Sequence, residues 1–140
     1  MTTFQALLVE KSEDKTFSRS VVERHVDELP EGALLVKVKY SSLNYKDALS
    51  ASGNPGVSRN FPHTPGIDAA GTVVSCDDNA FNEGDDVIIT GYDLGMNTSG
   101  GFAEYIRIPS SWAVAKPDGL SLKEAMVLGT AGFTAGLSVQ

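Results

Sequence analysis

The chain has 140 residues, enough for one domain with a hydrophobic core, and it holds no apolar run long enough to span a membrane. Its formal charge of −7, from 18 acidic and 11 basic residues, argues against nucleic acid and anionic membranes as partners. The single cysteine, Cys76, cannot form an internal disulfide, and the first residues lack the pattern of a secretory signal. We therefore expect a cytoplasmic protein.

Short β-strands separated by turn residues are predicted along most of the chain. The clearest is Ala33–Tyr40, in which Val36 and Val38 alternate with Lys37 and Lys39. Further strands are predicted at Phe4–Val9, Phe17–Val26, Ala69–Ser75, Asp86–Thr90 and Ala103–Ile108. Many short strands with glycine-containing turns between them indicate a closed or nearly closed β-barrel.

Helices are predicted in two regions. Leu43–Ser52 can form one or two helical turns. Ser121 and Glu124 fit a capping box at the start of a helix that ends near Leu128. After an interruption by glycine, residues 133–140 form the start of another helix, and no cap, glycine or proline ends it.

The segment Phe61–Gly71 places one carboxylate, Asp68, directly after a turn stiffened by two prolines and a glycine. Such stiff connections can hold a polar group against a ligand. The simpler interpretation is a tight turn before a strand, with Asp68 as its cap. The residues alone leave both interpretations open.

Metal ligands are sparse in this sequence. A structural zinc site needs four Cys or His ligands, and the chain offers Cys76, His25 and His63, which are far apart. A catalytic zinc on Asp68, His63 and Cys76 lacks the usual ligand spacing. We therefore predict no metal and expect His63 to form a hydrogen bond within its loop.

Phosphate-binding glycine motifs are also missing, because the chain contains neither G-x-G-x-x-G nor G-x-x-x-x-G-K. The spacing of the glycines in Gly129–Gly132 favours close helix packing instead. The hydroxyls of Thr130 and Thr134 either point into a cleft or cap a helix.

A second polar group follows the clearest strand. Asn44, Tyr45, Lys46 and Asp47 offer an amide, a phenol, an amine and a carboxylate at four consecutive positions. Loops at strand ends often carry functional residues. Equally, Asp47 can cap the helical turn and Lys46 can be solvated, so both interpretations stay open.

Five motifs in order resemble one known family. They are Ser41–Leu49, Phe61–Gly71, Glu83–Asp85, Gly100–Tyr105 and Gly129–Ala135. Together they resemble the zinc-free medium-chain dehydrogenase/reductases, and among these the quinone-oxidoreductase-like YhdH/AcuI type that is linked with acryloyl-CoA reduction. Zinc-dependent relatives carry Gly-His-Glu where this chain has Gly66-Ile67-Asp68 and a cysteine where it has Asn44, so the resemblance also implies no zinc.

The resemblance implies a mainly β fold, a GroES-like β-barrel catalytic domain with short helices over residues 1–128. Residues 129–140 would begin the helix that leads into an absent NADP-binding Rossmann domain, so we expect the chain to be a truncated piece. The implied cofactor is NADPH, bound mostly by the absent domain. The implied substrate is an activated alkene such as acryloyl-CoA or another enoyl thioester, or a quinone. We expect the piece alone to be inactive, and a homodimer is one way to cover its last residues.

The resemblance also implies roles for single residues. Tyr45 would contact the nicotinamide and donate a proton, and Asn44 would hydrogen-bond near the nicotinamide ribose or the substrate carbonyl. Asp68 would orient one of these two side chains. Thr130 and Thr134 would face the nicotinamide from the barrel side.

Arg59, in the irregular loop 53–65, is a candidate for binding the CoA phosphate or the substrate, and a structural ion pair is the simpler alternative. A different function class also remains open, a free-standing GroES-like β-barrel interaction module without redox activity. Such a module needs a mobile docking loop, and the loop 53–65 is stiffened by proline.

Overall fold

The computed structural model describes residues 2–140, so Met1, the first residue of the predicted domain, lies outside it. Within the described residues the chain forms seven strands and two α-helices. The strands are β1 (Thr3–Lys11), β2 (Phe17–His25), β3 (Leu34–Ser41), β4 (Asp68–Cys76), β5 (Asp86–Thr90), β6 (Tyr105–Ile108) and β7 (Ala113–Ala115). The helices are α1 (Tyr45–Ala51) and α2 (Leu122–Ser138), and short 3₁₀ turns lie at Val26–Glu28 and Ser110–Trp112.

The strands form two antiparallel sheets. Five of them are ordered β6-β3-β4-β5-β7, and β1 pairs with β2 as a separate ribbon. A bridge between Ala6 and Ala103 links the ribbon to the chain just before β6. A second bridge joins Val9 to His63. The predicted mainly β fold with short helices is confirmed.

Strand β3 shows why these residues form a sheet. Leu34 and Val36 are fully buried, whereas Lys37 and Lys39 are exposed, as the period of two predicted. Burying each such aliphatic side chain contributes about 1.5–3 kcal/mol. The main core comprises Leu34, Val36, Ala69, Val73, Val87, Ile89, Leu94, Ile106, Ile108 and Ala113.

Close approach of β3 and β4 depends on Gly71. A Cβ atom at this position would lie 2.1 Å from the carbonyl oxygen of Lys37, so any side chain there would force the backbone to move. Gly71 therefore allows the two strands to pair across a register shift between Val38 and Tyr40.

Helix α2 starts as the sequence predicted. The Ser121 hydroxyl accepts the Glu124 N–H, and the Glu124 carboxylate accepts the Ser121 N–H, each at 3.1 Å. The helix then bends at Gly129, which has φ 50° and ψ −159°. The predicted interruption is confirmed, although the helix resumes directly after Gly129 and not at Phe133. Among residues 2–140, neither helix has both the length and the apolar character that crossing a bilayer requires.

The segment of residues 91–101, here called the glycine lobe, is anchored through its backbone. The His63 Nε2–H donates to the Gly95 carbonyl at 2.8 Å, and the hydroxyl of Ser50 donates to the same oxygen at 3.3 Å. The Ser58 hydroxyl donates to the carbonyl of Met96. The expectation that His63 forms a loop hydrogen bond is confirmed, and burial lowers the pKa of its imidazole.

Candidate functional site

Asp68 lies at the centre of a cluster of polar residues that also includes Asn44, Asp47 and Thr130, here called the polar cluster. It is the first residue of β4, and because side chains alternate along a strand it shares a face with Ala70, which packs against α2. The Asp68 side chain is fully buried. One of its oxygens accepts the Asn44 Nδ2–H at 3.0 Å and the Thr130 N–H at 2.9 Å, and the other accepts the Thr130 hydroxyl at 2.5 Å. Asp68 therefore joins three parts of the chain, which is more than a turn cap would do.

A buried carboxylate without partners is costly, so its surroundings must stabilise the charge. Among residues 2–140, no basic side chain forms an ion pair with Asp68. Instead, its three donors supply charge-assisted hydrogen bonds. The donor Thr130 N–H is also at the start of the second part of α2, where the helix dipole favours a negative charge.

Asp47 is a second buried carboxylate in the cluster. It accepts the N–H groups of Asn44 at 2.8 Å and of Ile67 at 2.9 Å, and its exposed fraction is 3%. The interpretation of Asp47 as a cap at the start of α1 is thus confirmed. Burial raises the pKa of Asp47, and the nearby charge of Asp68 acts in the same direction, while the two N–H donors oppose the shift.

Asn44 lines an open cleft, and Tyr45 follows it in the chain. Tyr45 is the first residue of α1, and 80% of its surface is exposed. A cleft of about 430 Å³ opens between the end of β3 and helix α2. Its lining includes Tyr40, Ser42, Leu43, Asn44, Lys123, Met126, Leu128 and Gly129. The amide of Asn44 thus lies between the buried Asp68 and this cleft.

The other predicted site residues are placed differently. The Thr130 hydroxyl donates to Asp68, and Thr134 is exposed one turn further along the same helix face. Arg59 is exposed in its loop and donates from Nε to the Pro55 carbonyl at 3.0 Å. None of its hydrogen bonds within the described part of the chain reaches the Asp68 cluster, and its alternative ion pair is not formed there.

Ser42 belongs to the site but was not predicted. Its hydroxyl donates to the carbonyl oxygen of Met126 in α2 at 2.5 Å. A serine after a strand has many possible partners, and Met126 is 84 positions away, so no sequence signal identified this bond.

At the positions where the resemblance places the zinc ligands of zinc-dependent relatives, this chain has other residue types. Asn44 donates to Asp68, and Ile67 is apolar and buried. Across residues 2–140, no three His, Cys, Asp or Glu side chains lie close enough together to hold a metal ion.

Comparison with known proteins identifies the family. Residues 30–118 match the family described as "Alcohol dehydrogenase GroES-like domain". The chain belongs to this family. It is 51% identical to the "Putative quinone oxidoreductase YhfP" of Bacillus subtilis, over 99% of the chain and 42% of that protein. It is 50% identical to the "Probable acrylyl-CoA reductase AcuI" of Escherichia coli, over 96% of the chain and 41% of that protein.

Solved structures agree with this assignment. The fold matches YhdH from Salmonella enterica in complex with NADP with a TM-score of 0.92 and 47% identity, over 96% of this chain and 41% of that one. It matches Bacillus subtilis YhfP with NAD bound with a TM-score of 0.94 and 50% identity, over 99% and 42%. The GroES-like fold and the resemblance to the amino-terminal part of the YhdH/AcuI type are confirmed. The chain spans about two fifths of the length of these relatives.

Proposed function

We propose that this chain is the catalytic-domain part of an NADPH-dependent, zinc-free oxidoreductase. Its substrate would be an activated C=C bond, as in an acryloyl-CoA-like enoyl thioester, or a quinone. The observation that carries the proposal is the cluster of Asn44, Asp68 and Thr130 beside the exposed Tyr45. Relatives described as a quinone oxidoreductase and an acrylyl-CoA reductase support it.

The residues in and near the polar cluster fit a nicotinamide and its ribose better than they fit phosphates. The exposed ring of Tyr45 offers a stacking surface, and the exposed hydroxyl of Thr134 can donate or accept a hydrogen bond. The buried carboxylates of Asp47 and Asp68 repel anions, and among the described lining residues Lys123 is the basic one. Contacts to the phosphates of the cofactor would therefore come from outside this part of the protein.

NADPH, when bound, supplies the hydride for the reduction. The chain's own residues would orient the reacting groups and move one proton. Tyr45 would donate a proton from Oη to the carbon next to the substrate carbonyl. Asn44 would hydrogen-bond the ribose or the substrate carbonyl, and Asp68 would fix its amide orientation by accepting Nδ2–H. Arg59 remains a candidate for contact with the distant part of a CoA substrate.

Two experiments test the proposal. Calorimetry of the chain alone with NADPH should show weak or no binding. Micromolar binding would contradict the proposal that most contacts to the cofactor lie outside this chain. A chimera that joins this chain to the remaining part of Bacillus subtilis YhfP should oxidise NADPH in the presence of acryloyl-CoA or a quinone. A chimera that folds and binds NADPH but reduces neither substrate would refute the proposal and favour the interaction module.

The tyrosine is tested in the active chimera. Tyr45→Phe should lower kcat by about 10²-fold, as expected for loss of a general acid. Tyr105→Phe is the matched control, because Tyr105 is half-buried on β6 and packs against Phe4. Unchanged kinetics in Tyr45→Phe would remove Tyr45 from the reaction.

A further inference from the structure

Helix α2 bends where one of its own hydrogen bonds would normally form. In a regular α-helix the Thr130 N–H would donate to the Met126 carbonyl four residues earlier. In this protein the Thr130 N–H donates to Asp68 Oδ2 at 2.9 Å. The Met126 carbonyl accepts the Ser42 hydroxyl at 2.5 Å. Both groups that a regular helix pairs with each other thus have a side-chain partner from outside the helix.

The residue at the bend fits the same two partners. Gly129 has φ 50°, in the left-handed region that favours glycine. A Cβ atom on Gly129 would lie 2.7 Å from Ser42 Oγ and 2.8 Å from Asp68 Oδ2. Real Cβ atoms essentially never approach other atoms this closely. The two oxygens that satisfy the separated helix groups are therefore also the two that exclude a side chain at position 129.

We propose that Ser42 and Asp68 act as a pair of positioning residues that hold α2 bent at Gly129. Ser42 directly follows β3 and Asp68 is the first residue of β4, so two paired strands of the sheet position the partners that set the bend. The bend directs the second part of α2, which carries Thr130 and Thr134. That this direction serves a cofactor rests on the proposed function, whereas the bend is a property of the chain alone.

The two partners should act together. Removing the Ser42 hydroxyl leaves the part-buried Met126 carbonyl without this donor, and removing the Asp68 carboxylate leaves the Thr130 N–H without an acceptor. Loss of the Ser42 hydroxyl should raise the equilibrium constant of unfolding by about five- to 160-fold, the range for one unsatisfied buried group. Loss of the Asp68 carboxylate, which also accepts the Asn44 amide and the Thr130 hydroxyl, should raise it further. When both are removed, Met126 and Thr130 can pair with each other, and the helix can straighten.

Gly129→Ala provides the decisive measurement, made by urea unfolding of the 140-residue chain. In the wild-type background it should raise the unfolding equilibrium constant at least about tenfold, because Ala is strained at positive φ and its Cβ meets both oxygens. In a Ser42→Ala/Asp68→Ala background it should lower that constant by about four- to fivefold, because Ala favours a regular helix over Gly. An equal loss in both backgrounds would overturn the proposal.

A second measurement keeps the proposal testable should the double variant not fold. Residual dipolar couplings by NMR report the angle between residues 122–128 and 131–138 in the wild type. Ser42→Ala should change this angle, while Ser42→Thr, which keeps the hydroxyl, should retain it. The wild-type Thr130 amide proton should be shifted downfield by the carboxylate and protected from exchange. An unprotected Thr130 amide, or an unchanged angle in Ser42→Ala, would contradict the proposal. These measurements use no cofactor, so their failure would leave the proposed function standing.

Discussion

Replacing Asp47 should reveal how strongly the start of α1 depends on one buried carboxylate. Asp47→Ala removes the acceptor of two backbone N–H groups, those of Asn44 and Ile67, in a side chain whose exposed fraction is 3%. An unsatisfied buried donor costs about 1–3 kcal/mol. The variant no longer buries a charge, which offsets part of this cost. We expect a net loss of about 3 kcal/mol in the free energy of unfolding.

Urea unfolding followed by circular dichroism measures this loss, and a melting curve should show a decrease in Tm of about 10 °C for a chain of this size. Asp47→Asn keeps one oxygen acceptor and should lose about half as much. Asp77→Ala is the control, because Asp77 is exposed and its side chain accepts no hydrogen bond within the described residues, so its effect should stay within about 0.5 kcal/mol. A loss below about 1 kcal/mol in Asp47→Ala would refute the reasoning, since it would mean that water replaces the carboxylate freely.

The pH dependence of Asp47 has a defined sign. Burial raises its pKa in the folded protein above the ordinary value of 3.8, so the folded state binds the proton more readily than the unfolded state does. The contribution of this group to stability is therefore fully present below pH 3.8 and is lost as the pH rises through the folded pKa. The stability of the wild type relative to Asp47→Asn should increase as the pH falls from neutral, and a difference that stays constant would contradict the assigned shift.

Three further predictions concern the rest of the domain. Burial lowers the pKa of His63 below 6.5, so the stability that this residue contributes is present above that pH and is lost as the pH falls through the folded pKa. His63→Gln should therefore flatten the acid side of a plot of urea midpoint against pH between pH 7.5 and 5, roughly the range in which histidine titrates. An unchanged plot would count against this prediction. Gly71→Ala should prevent folding or lower the urea concentration at which the chain unfolds, because its Cβ would lie 2.1 Å from the Lys37 carbonyl oxygen. Gly136→Ala, which has open space around it in α2, should stabilise the protein by about 0.5–1 kcal/mol. Equal effects of the two substitutions would refute the argument from close approach. Leu94→Ala should lose about 2.7–5 kcal/mol, because Leu94 is fully buried in the main core, and a smaller loss in urea unfolding would mean that the core collapses around the change.

The strands were predictable where local pattern decides them. Alternation of valine and lysine identified β3, and glycine-containing turns separated the later strands. Strand β7 was not predicted, because Ala113–Ala115 has only three residues and no alternating pattern of its own. It is stabilised by pairing with β5, in which Val114 lies opposite Ile88, and such long-range pairing leaves no local signal.

The candidate site was predictable in its members more than in its connections. The sequence singled out Asn44, Asp68 and Thr130, and the structure brings these three together. Their separations of 24 and 62 positions could not be bridged by local reasoning. The glycine at position 129 predicted an interruption of α2, but its dependence on Ser42 follows only from the three-dimensional contact. The roles of Tyr45, Thr134 and Arg59 toward a ligand stay predictions.

The glycine lobe is attached at residues 95 and 96 through main-chain carbonyls. His63, Ser50 and Ser58 donate hydrogen bonds to the main-chain carbonyls of residues 95 and 96. Because every amino acid has a main-chain carbonyl, these bonds do not use the side chain at either position. Gly95 itself is fixed, since a Cβ there would meet the backbone of Gly66 at 2.4 Å. Met96 can be replaced without loss of the Ser58 bond, whereas the Asn97 side chain accepts the Arg59 N–H at 3.1 Å and is itself part of the attachment. Position 96 is therefore a place at which this chain can accept other side chains, as in a randomised library, while the bond from Ser58 is kept.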